Sequence, residues 1–148
     1  MLQKTTWTHY FLIGLIISLT LTMNSCAKVA YAQFGKFYFV NNTNHRITYD
    51  KGLEAFNVGP NETIIVSQIQ DSGKSVIQSS YISPFLLRSN GLITIRFDNN
   101  KCLIDEKRGD PHSVMDISNY IPEKIDKRTY KFTYTFTEAD YNRAVTCP

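Results

Sequence analysis

The hydrophobic pattern begins with an almost uncharged apolar run over residues 10–23. The run follows a short N-terminal region whose only positively charged side chain is Lys4, and it ends against small and polar residues. This order is typical of a secretory signal peptide, whose apolar region we expect to be helical. An uncleaved membrane anchor is less favoured, because spanning the hydrocarbon core takes roughly 20 apolar residues.

Two processing sites compete at the end of this run. Met23-Asn24-Ser25-Cys26 has the arrangement of a bacterial lipobox, in which Cys26 is acylated and becomes the new N-terminus. Ala30-Tyr31-Ala32 is instead an A-x-A site, and cleavage after it would release a soluble secreted or periplasmic protein beginning at Gln33. The position of Cys26 directly after the apolar run favours the lipoprotein. The sequence therefore predicts a signal peptide at residues 1–25 and a tether at residues 26–35.

Beyond the tether, apolar and polar positions alternate with a period of two, which predicts β-strands. The strongest alternation runs over residues 130–137, where four aromatic side chains share one face and must be covered, so we expect a central strand. We expect a first strand at residues 37–41 with both faces covered, and a buried strand at residues 63–66. Residues 75–88 include Pro84 and are expected to form an edge strand and an irregular connection.

A hairpin is predicted around Asn99-Asn100. If these two residues form the turn, Phe97 lies opposite Cys102, and Cys102 points toward the core. Farther along, Thr137 precedes Asp140 by three residues, which is the spacing of a capping box at the start of a short helix. We expect Tyr141 and Val145 to pack that helix on the sheet.

These elements predict a mainly β fold: an antiparallel β-sandwich-like domain over residues 36–148 with a short C-terminal helix. Cleavage at either site leaves about 116 to 123 residues, which is enough for one domain with a core. The net charge of +3 falls to +2 when Lys4 is removed with the signal peptide, and the basic residues are interspersed with acids. We therefore expect no nucleic-acid partner.

Two cysteines remain in either cleaved form, Cys102 and Cys147. Export exposes them to an oxidising compartment, so we predict a disulfide between them. The alternative is two buried free thiols.

Candidate chemistry is sparse. Residues 105–128 are polar and contain Gly109, Pro111 and Pro122, which predicts a long structured loop and the main contact surface. Within it, Asp110 and His112 could ligate a metal together with Cys102 or Asp105, but no paired spacing supports such a site. Asp105-Glu106 and Asp116 could form a carboxylate pair, although acids scattered along a chain make such pairs by chance. We expect no catalytic residue, no metal and no cofactor.

Four segments carry a resemblance: the lipobox at residues 23–26, the first strand and turn at residues 37–43, the loop at residues 117–120 and the ending at residues 134–144. Together they resemble small Bacteroidota envelope lipoproteins of unknown function. The resemblance implies a β-sandwich-like lipoprotein acylated at Cys26, without a known activity. Some such lipoproteins carry an acidic cell-surface signal after the cysteine. Ala27-Lys28-Val29 stands there instead, which favours an outer-membrane lipoprotein facing the periplasm.

Three classes of function follow. The first is a non-catalytic, lipid-anchored envelope protein that binds an envelope partner through residues 105–128. The second is a periplasmic inhibitor or immunity protein that blocks a toxin or hydrolase with a rigid, protruding loop. The third is a hydrolase whose pocket would bring His112 together with two acids.

Overall fold

The computed structural model describes residues 31–49, 56–72, 76–87, 93–106 and 108–148. The predicted signal peptide, Cys26 and the first part of the tether lie outside these residues. In the described part of the chain, no helix is long and apolar enough to cross a membrane.

The described residues form nine strands and two short α-helices. The strands are β1 (Tyr31–Asn42), β2 (Ile47–Tyr49), β3 (Phe56–Val58), β4 (Thr63–Ser72), β5 (Ile93–Phe97), β6 (Lys101–Glu106), β7 (Ile121–Lys124), β8 (Thr129–Thr137) and β9 (Val145–Thr146). The helices are α1 (Pro84–Leu87) and α2 (Glu138–Arg143). Short 3-10 turns occupy Gln78–Ser80 and Ile117–Asn119.

The strands form two sheets. The first sheet has the order β4-β1-β8-β7, and the second has the order β3-β2-β5-β6-β9. β1 is antiparallel to β4 and parallel to β8, so the first sheet is mixed, whereas all pairs of the second sheet are antiparallel. The prediction of a mainly β fold with a short C-terminal helix is confirmed, and the prediction of wholly antiparallel pairing is wrong. The parallel register places Phe37 beside Phe132, which aligns the aromatic faces of β1 and β8.

The β1 strand has one buried face and one outer face. Phe37, Phe39 and Asn41 are fully buried, whereas Tyr38 and Val40 are only half-buried, so the prediction that both faces are covered is wrong. The strand also begins at Tyr31. Residues 31–35, predicted as the end of the tether, therefore belong to the folded domain, because their backbone already pairs with β4.

Aromatic side chains join the two sheets. Phe39 of the first sheet contacts Phe56 of the second with a ring-centroid distance of 5.2 Å, and Phe56 in turn lies 6.4 Å from Phe136. Phe85 of α1 fills the space between them, within 5.2 Å of the rings of Phe39, Tyr49 and Phe56. The predicted central strand is confirmed, because β8 is paired on one side by β1 and on the other by β7.

Three local predictions fail. β4 is an edge strand rather than a buried one, and its Ile65 and Ile69 are exposed on the outer face. In place of an edge strand, the described residues between β4 and β5 form a 3-10 turn and α1. The predicted loop at residues 105–128 contains the end of β6 and the whole of β7, whose four side chains are all exposed and show no alternation.

The hairpin of β5 and β6 has a different register from the predicted one. Its turn has three residues, with Asp98 and Asn99 at φ angles of 49° and 58°, so Phe97 pairs with Lys101 and Cys102 pairs with Arg96. The Asp98 carboxylate holds this turn by accepting hydrogen bonds from the Arg46 backbone N–H at 2.8 Å and from the His45 ring at 2.7 Å.

The shifted register moves Cys102 to the outer face of the second sheet. Directly paired residues share a face, and Arg96 lies between the inward-facing Ile95 and Phe97. The predicted core-facing orientation of Cys102 is therefore wrong. Cys102 is nevertheless fully buried, since Cys147 and the Arg96 guanidinium, 3.6 Å from its sulfur, lie against it.

The predicted disulfide between Cys102 and Cys147 is present. The two Cα atoms are 5.0 Å apart, and β9 pairs Val145 with Cys102. The cap of α2 is confirmed as well, because Asp140 accepts a hydrogen bond from the Thr137 backbone N–H at 2.8 Å. Tyr141 packs on Phe97 as predicted, with a centroid distance of 5.7 Å, but Val145 is 55% exposed and does not.

Candidate functional site

A cleft of about 420 Å³ opens between α2, the end of β8 and the turns that precede β7. Its walls include a histidine, an amide, two hydroxyl-bearing side chains and an ion pair: His112, Asn119, Tyr134, Thr137, Asp140 and Arg143. The cleft is thus bordered by the segment that the sequence predicts as a contact surface.

The His112 turn forms the rim of the cleft. Its backbone is left-handed at Gly109 and His112, with φ angles of 92° and 58°. The His112 carbonyl accepts a hydrogen bond from the Tyr134 hydroxyl of β8 and a long one, 3.5 Å, from the Arg143 guanidinium of α2. Two separate elements therefore hold this turn, while the His112 side chain is exposed.

The segment behind the rim is packed rather than free. Ser113, Val114 and Met115 are buried, and the Asn119 amide donates a hydrogen bond of 2.9 Å to the Ser113 carbonyl. The Tyr120 hydroxyl donates to the Val114 carbonyl. Burial raises the pKa of Tyr120 well above its usual value, so this phenol stays neutral and keeps its donor proton.

Asp116 has a local structural role. Its carboxylate accepts hydrogen bonds from the Ser118 backbone N–H at 2.9 Å and from the Ser118 hydroxyl at 2.8 Å. These two bonds, the backbone one first, lower the pKa of Asp116 because they stabilise its charged form. This arrangement closes the 3-10 turn before β7. The side chains of Asp105 and Glu106, the hypothetical partners of a carboxylate pair, lie outside the described residues.

Asp140 is the acidic group of the cleft. It is only 6% exposed, and it accepts hydrogen bonds from the Thr137 backbone N–H at 2.8 Å and from the Thr137 hydroxyl at 3.2 Å. Its other oxygen accepts from Arg143 at 3.2 Å. Among the described residues that line the cleft, Asp140 is the acid near His112, and it is committed to the helix cap.

The polar side chains of the cleft walls are hydrogen-bonded within the protein. The Asn119 amide donates to the Ser113 carbonyl, the Thr137 hydroxyl donates to Asp140, and Arg143 donates to Asp140 and to the His112 carbonyl. These bonds give the cleft a fixed, polar wall.

The predicted site residues have different outcomes. Cys26 lies outside the described residues, and acylation there stays a prediction. Cys102 and Cys147 are bonded to each other, so Cys102 is not available as the metal ligand considered beside Asp110 and His112. The described ranges contain no group of three histidine, cysteine or acidic side chains placed to hold a metal ion.

Sequence reasoning missed Asn119, Tyr134 and Arg143. Asn119 ends a 3-10 turn, Tyr134 alternates with its neighbours like any strand residue, and Arg143 ends a helix, so no local pattern marks them as a set. The capping box at Thr137 was the available signal, because it fixes where α2 begins and hence where Arg143 lies.

Comparison of the chain with protein-family models, curated proteins and solved structures finds no match.

Proposed function

We propose that this protein is an exported, lipid-anchored component of the cell envelope that binds another envelope component without catalysing a reaction. In this proposal, Cys26 carries the lipid, the domain faces the periplasm from the outer membrane, and the two contacting sheets form a sandwich-like body. The sequence of residues 10–26 supports export and acylation. The disulfide between Cys102 and Cys147 fits an oxidising compartment.

The observation that carries the binding role is the cleft beside His112. It joins the polar segment before β7 to α2, and the hydrogen bonds of Tyr134 and Arg143 to the His112 carbonyl fix its rim. A preformed concave surface that carries a few fixed polar groups is the usual form of a binding site.

Cross-linking from the rim tests this proposal. A photo-crosslinking residue in place of the exposed His112, in the full chain produced with its own signal, should trap a defined envelope partner on illumination. The same residue in place of the exposed Thr63 of β4 is the matched control. Adducts that are absent at position 112, or identical at both positions, would contradict a role for the cleft.

A periplasmic inhibitor or immunity protein is the alternative function. It is favoured by the internal bonding of the segment behind the rim, since a rigid segment is suited to insertion into an active site. The cross-linking experiment distinguishes the two. A toxin or hydrolase, inactivated when bound, would be the partner of an inhibitor, whereas a structural envelope component would be the partner of the proposed protein.

A further inference from the structure

Exposed apolar side chains concentrate at the end of the first sheet where β1 begins. Nine large apolar side chains are exposed in the described residues, and five of them surround this end. They are Phe34, Ile69, Ile77, Ile82 and Ile125, each between 38% and 68% exposed. We call this set the apolar end.

Strand pairing and hydrogen bonds place these residues at the same end of the sheet, with Phe34 and Ile69 on its outer face and Ile82 bonded to Gln70, whose side chain lies on the inner face. Phe34 pairs directly with Ile69 across β1 and β4. Ile82 exchanges two hydrogen bonds with the side chain of Gln70, the neighbour of Ile69, at 3.0 and 3.2 Å.

The other two members are linked to the same end of β1. Ile77 begins the 3-10 turn whose Ser80 donates a hydrogen bond of 2.9 Å to the buried Gln33. Ile125 belongs to the turn that joins β7 to β8, and residue 128 of that turn accepts a hydrogen bond of 2.9 Å from the Phe34 backbone N–H.

Basic groups flank the apolar end. Lys36 and Lys127 are exposed, and Arg128 lies over the ring of Tyr31 at 4.3 Å. Acids lie among these basic groups: Asp71 is exposed, Glu123 pairs with Lys131 at 2.8 Å, and Asp126 is engaged by the Arg128 backbone N–H at 2.7 Å. Apolar side chains with basic ones beside them match the acyl boundary and the phosphates of an anionic membrane surface.

The chain itself brings this end to a membrane. In a mature chain beginning at an acylated Cys26, four residues lie between Cys26 and Tyr31, so the two Cα atoms can be at most about 17 Å apart. The far end of β1 lies about 36 Å from its start, given the rise of a 12-residue strand. The anchor thus restricts the apolar end, rather than the cleft end of the domain, to the neighbourhood of the lipid.

We infer that the apolar end docks on the membrane surface, with Phe34 and the four isoleucines at the boundary between headgroups and acyl chains. This inference rests on the proposed lipid anchor at Cys26. Docking would give the domain a fixed orientation. The cleft lies beside α2, which follows the far end of β8, so it would point away from the membrane.

Tryptophan fluorescence tests the orientation. Trp7 is the single tryptophan of the chain, and it is removed with the signal peptide. Ile69→Trp and Ile77→Trp therefore each place one reporter at the apolar end, and Val145→Trp places one at the opposite end as the control. Each full-length variant is purified in its native mature form and reconstituted into phosphatidylcholine–phosphatidylglycerol vesicles with brominated acyl chains.

The Ile69→Trp and Ile77→Trp proteins should lose about half of their emission relative to vesicles without bromine, because interfacial side chains reach about 5–10 Å into the boundary. The Val145→Trp protein should lose none. Unquenched reporters at positions 69 and 77, or equal quenching at position 145, would overturn the docking. The docking would also be overturned if neither bromine nor aqueous acrylamide quenched the tryptophans at positions 69 and 77, because another protein or a second copy would then cover them.

Two controls separate the possible failures. Each variant must unfold at the temperature of the parent, and the two reporter positions guard against one damaging substitution. The intact mass of the same sample shows whether Cys26 is acylated. An acylated protein without quenching overturns only the docking, whereas a protein without acyl chains overturns the proposed function and the docking with it.

Discussion

Asn41 shows how one buried polar side chain organises the end of β1 opposite the apolar end. Its amide nitrogen donates to the carbonyls of His45, Val58 and Gly59 at 2.7, 3.1 and 2.9 Å. Its amide oxygen accepts from the backbone N–H and the hydroxyl of Thr43 at 3.0 and 2.7 Å. The residue therefore ties β1 to the following turn and to the end of β3.

Replacing Asn41 with leucine should lower the free energy of unfolding by about 3 kcal/mol, because buried partners left without a hydrogen bond each cost about 1–3 kcal/mol. Asn42→Ala is the control, because the Asn42 side chain is exposed. Substitutions of exposed side chains usually change the free energy of unfolding by less than about 0.5 kcal/mol. Chemical denaturation measures both. Equal stability of the two variants would show that the Asn41 network is unimportant.

The lowered pKa of Asp98 predicts that the stability of the protein depends on pH. The hydrogen bond from His45 is the main cause that lowers the pKa of the Asp98 carboxyl, and the Arg46 backbone N–H adds to it. A carboxyl whose pKa is lower in the folded state stabilises the protein above its unfolded pKa of about 3.9, and this contribution is lost as the pH falls through the folded value. Stability from Asp98 is therefore expected at neutral pH and lost in acid.

Asp98→Asn should reduce stability at pH 7 by up to about 1 kcal/mol, because the carboxylate is partly exposed and its charge interactions are screened by water. The difference from the parent should shrink as the pH falls below the unfolded pKa of about 3.9. Thermal melts across this range, with Asp71→Asn as an exposed control, measure the effect. A difference that persists unchanged in acid would contradict the role of the Asp98 charge.

At the scale of elements, alternation predicts a strand well where one face is buried. The alternating aromatics of β8 and the Ile95–Phe97 spacing of β5 identify both strands from the sequence. β7 could not be found this way, because Pro122 and three other exposed side chains give it no periodic pattern. It is a strand because its backbone pairs with β8.

Register and pairing depend on distant residues, which a local pattern does not contain. The one-residue error in the hairpin arises because the Arg46 backbone and His45 hold Asp98 in the turn. The parallel pairing of β1 with β8 joins segments about 95 residues apart. The cleft escaped prediction for the same reason, because Asn119, Tyr134 and Arg143 meet only through the fold.

The disulfide is a prediction at the scale of elements, because it fastens β9 to β6. Reduction should lower the free energy of unfolding by up to about 4 kcal/mol, the chain-entropy value for a 45-residue separation. The loss should be smaller if α2 already docks the C-terminus through Tyr141. Denaturant titrations with and without reductant measure it.

A double variant, Cys102→Ser with Cys147→Ser, is the control and should not respond to reductant. Thiol titration gives an independent check. Two free thiols in the denatured, unreduced parent, beyond any contribution of Cys26, would contradict the bond.

At the scale of the whole molecule, the proposed anchor lies next to one end of the first sheet and the cleft lies at the other end. Lipid at Cys26, five positions before Tyr31, would hold the apolar end near a membrane, and the cleft would face a partner in the periplasm. The sequence predicted the export signal and the β domain. It did not predict the apolar end, because Phe34, Ile69 and Ile125 come from three strands or turns that only the sheet brings together.

The intact mass of the mature protein extracted from membranes tests the lipid anchor most directly. We expect a chain that begins at Cys26, carries diacyl or triacyl modification and lacks the two hydrogens lost when Cys102 and Cys147 bond. Cys26→Ala should remove the acyl mass. An unmodified chain beginning at Gln33 would contradict the anchor, and with it the proposed orientation of the domain.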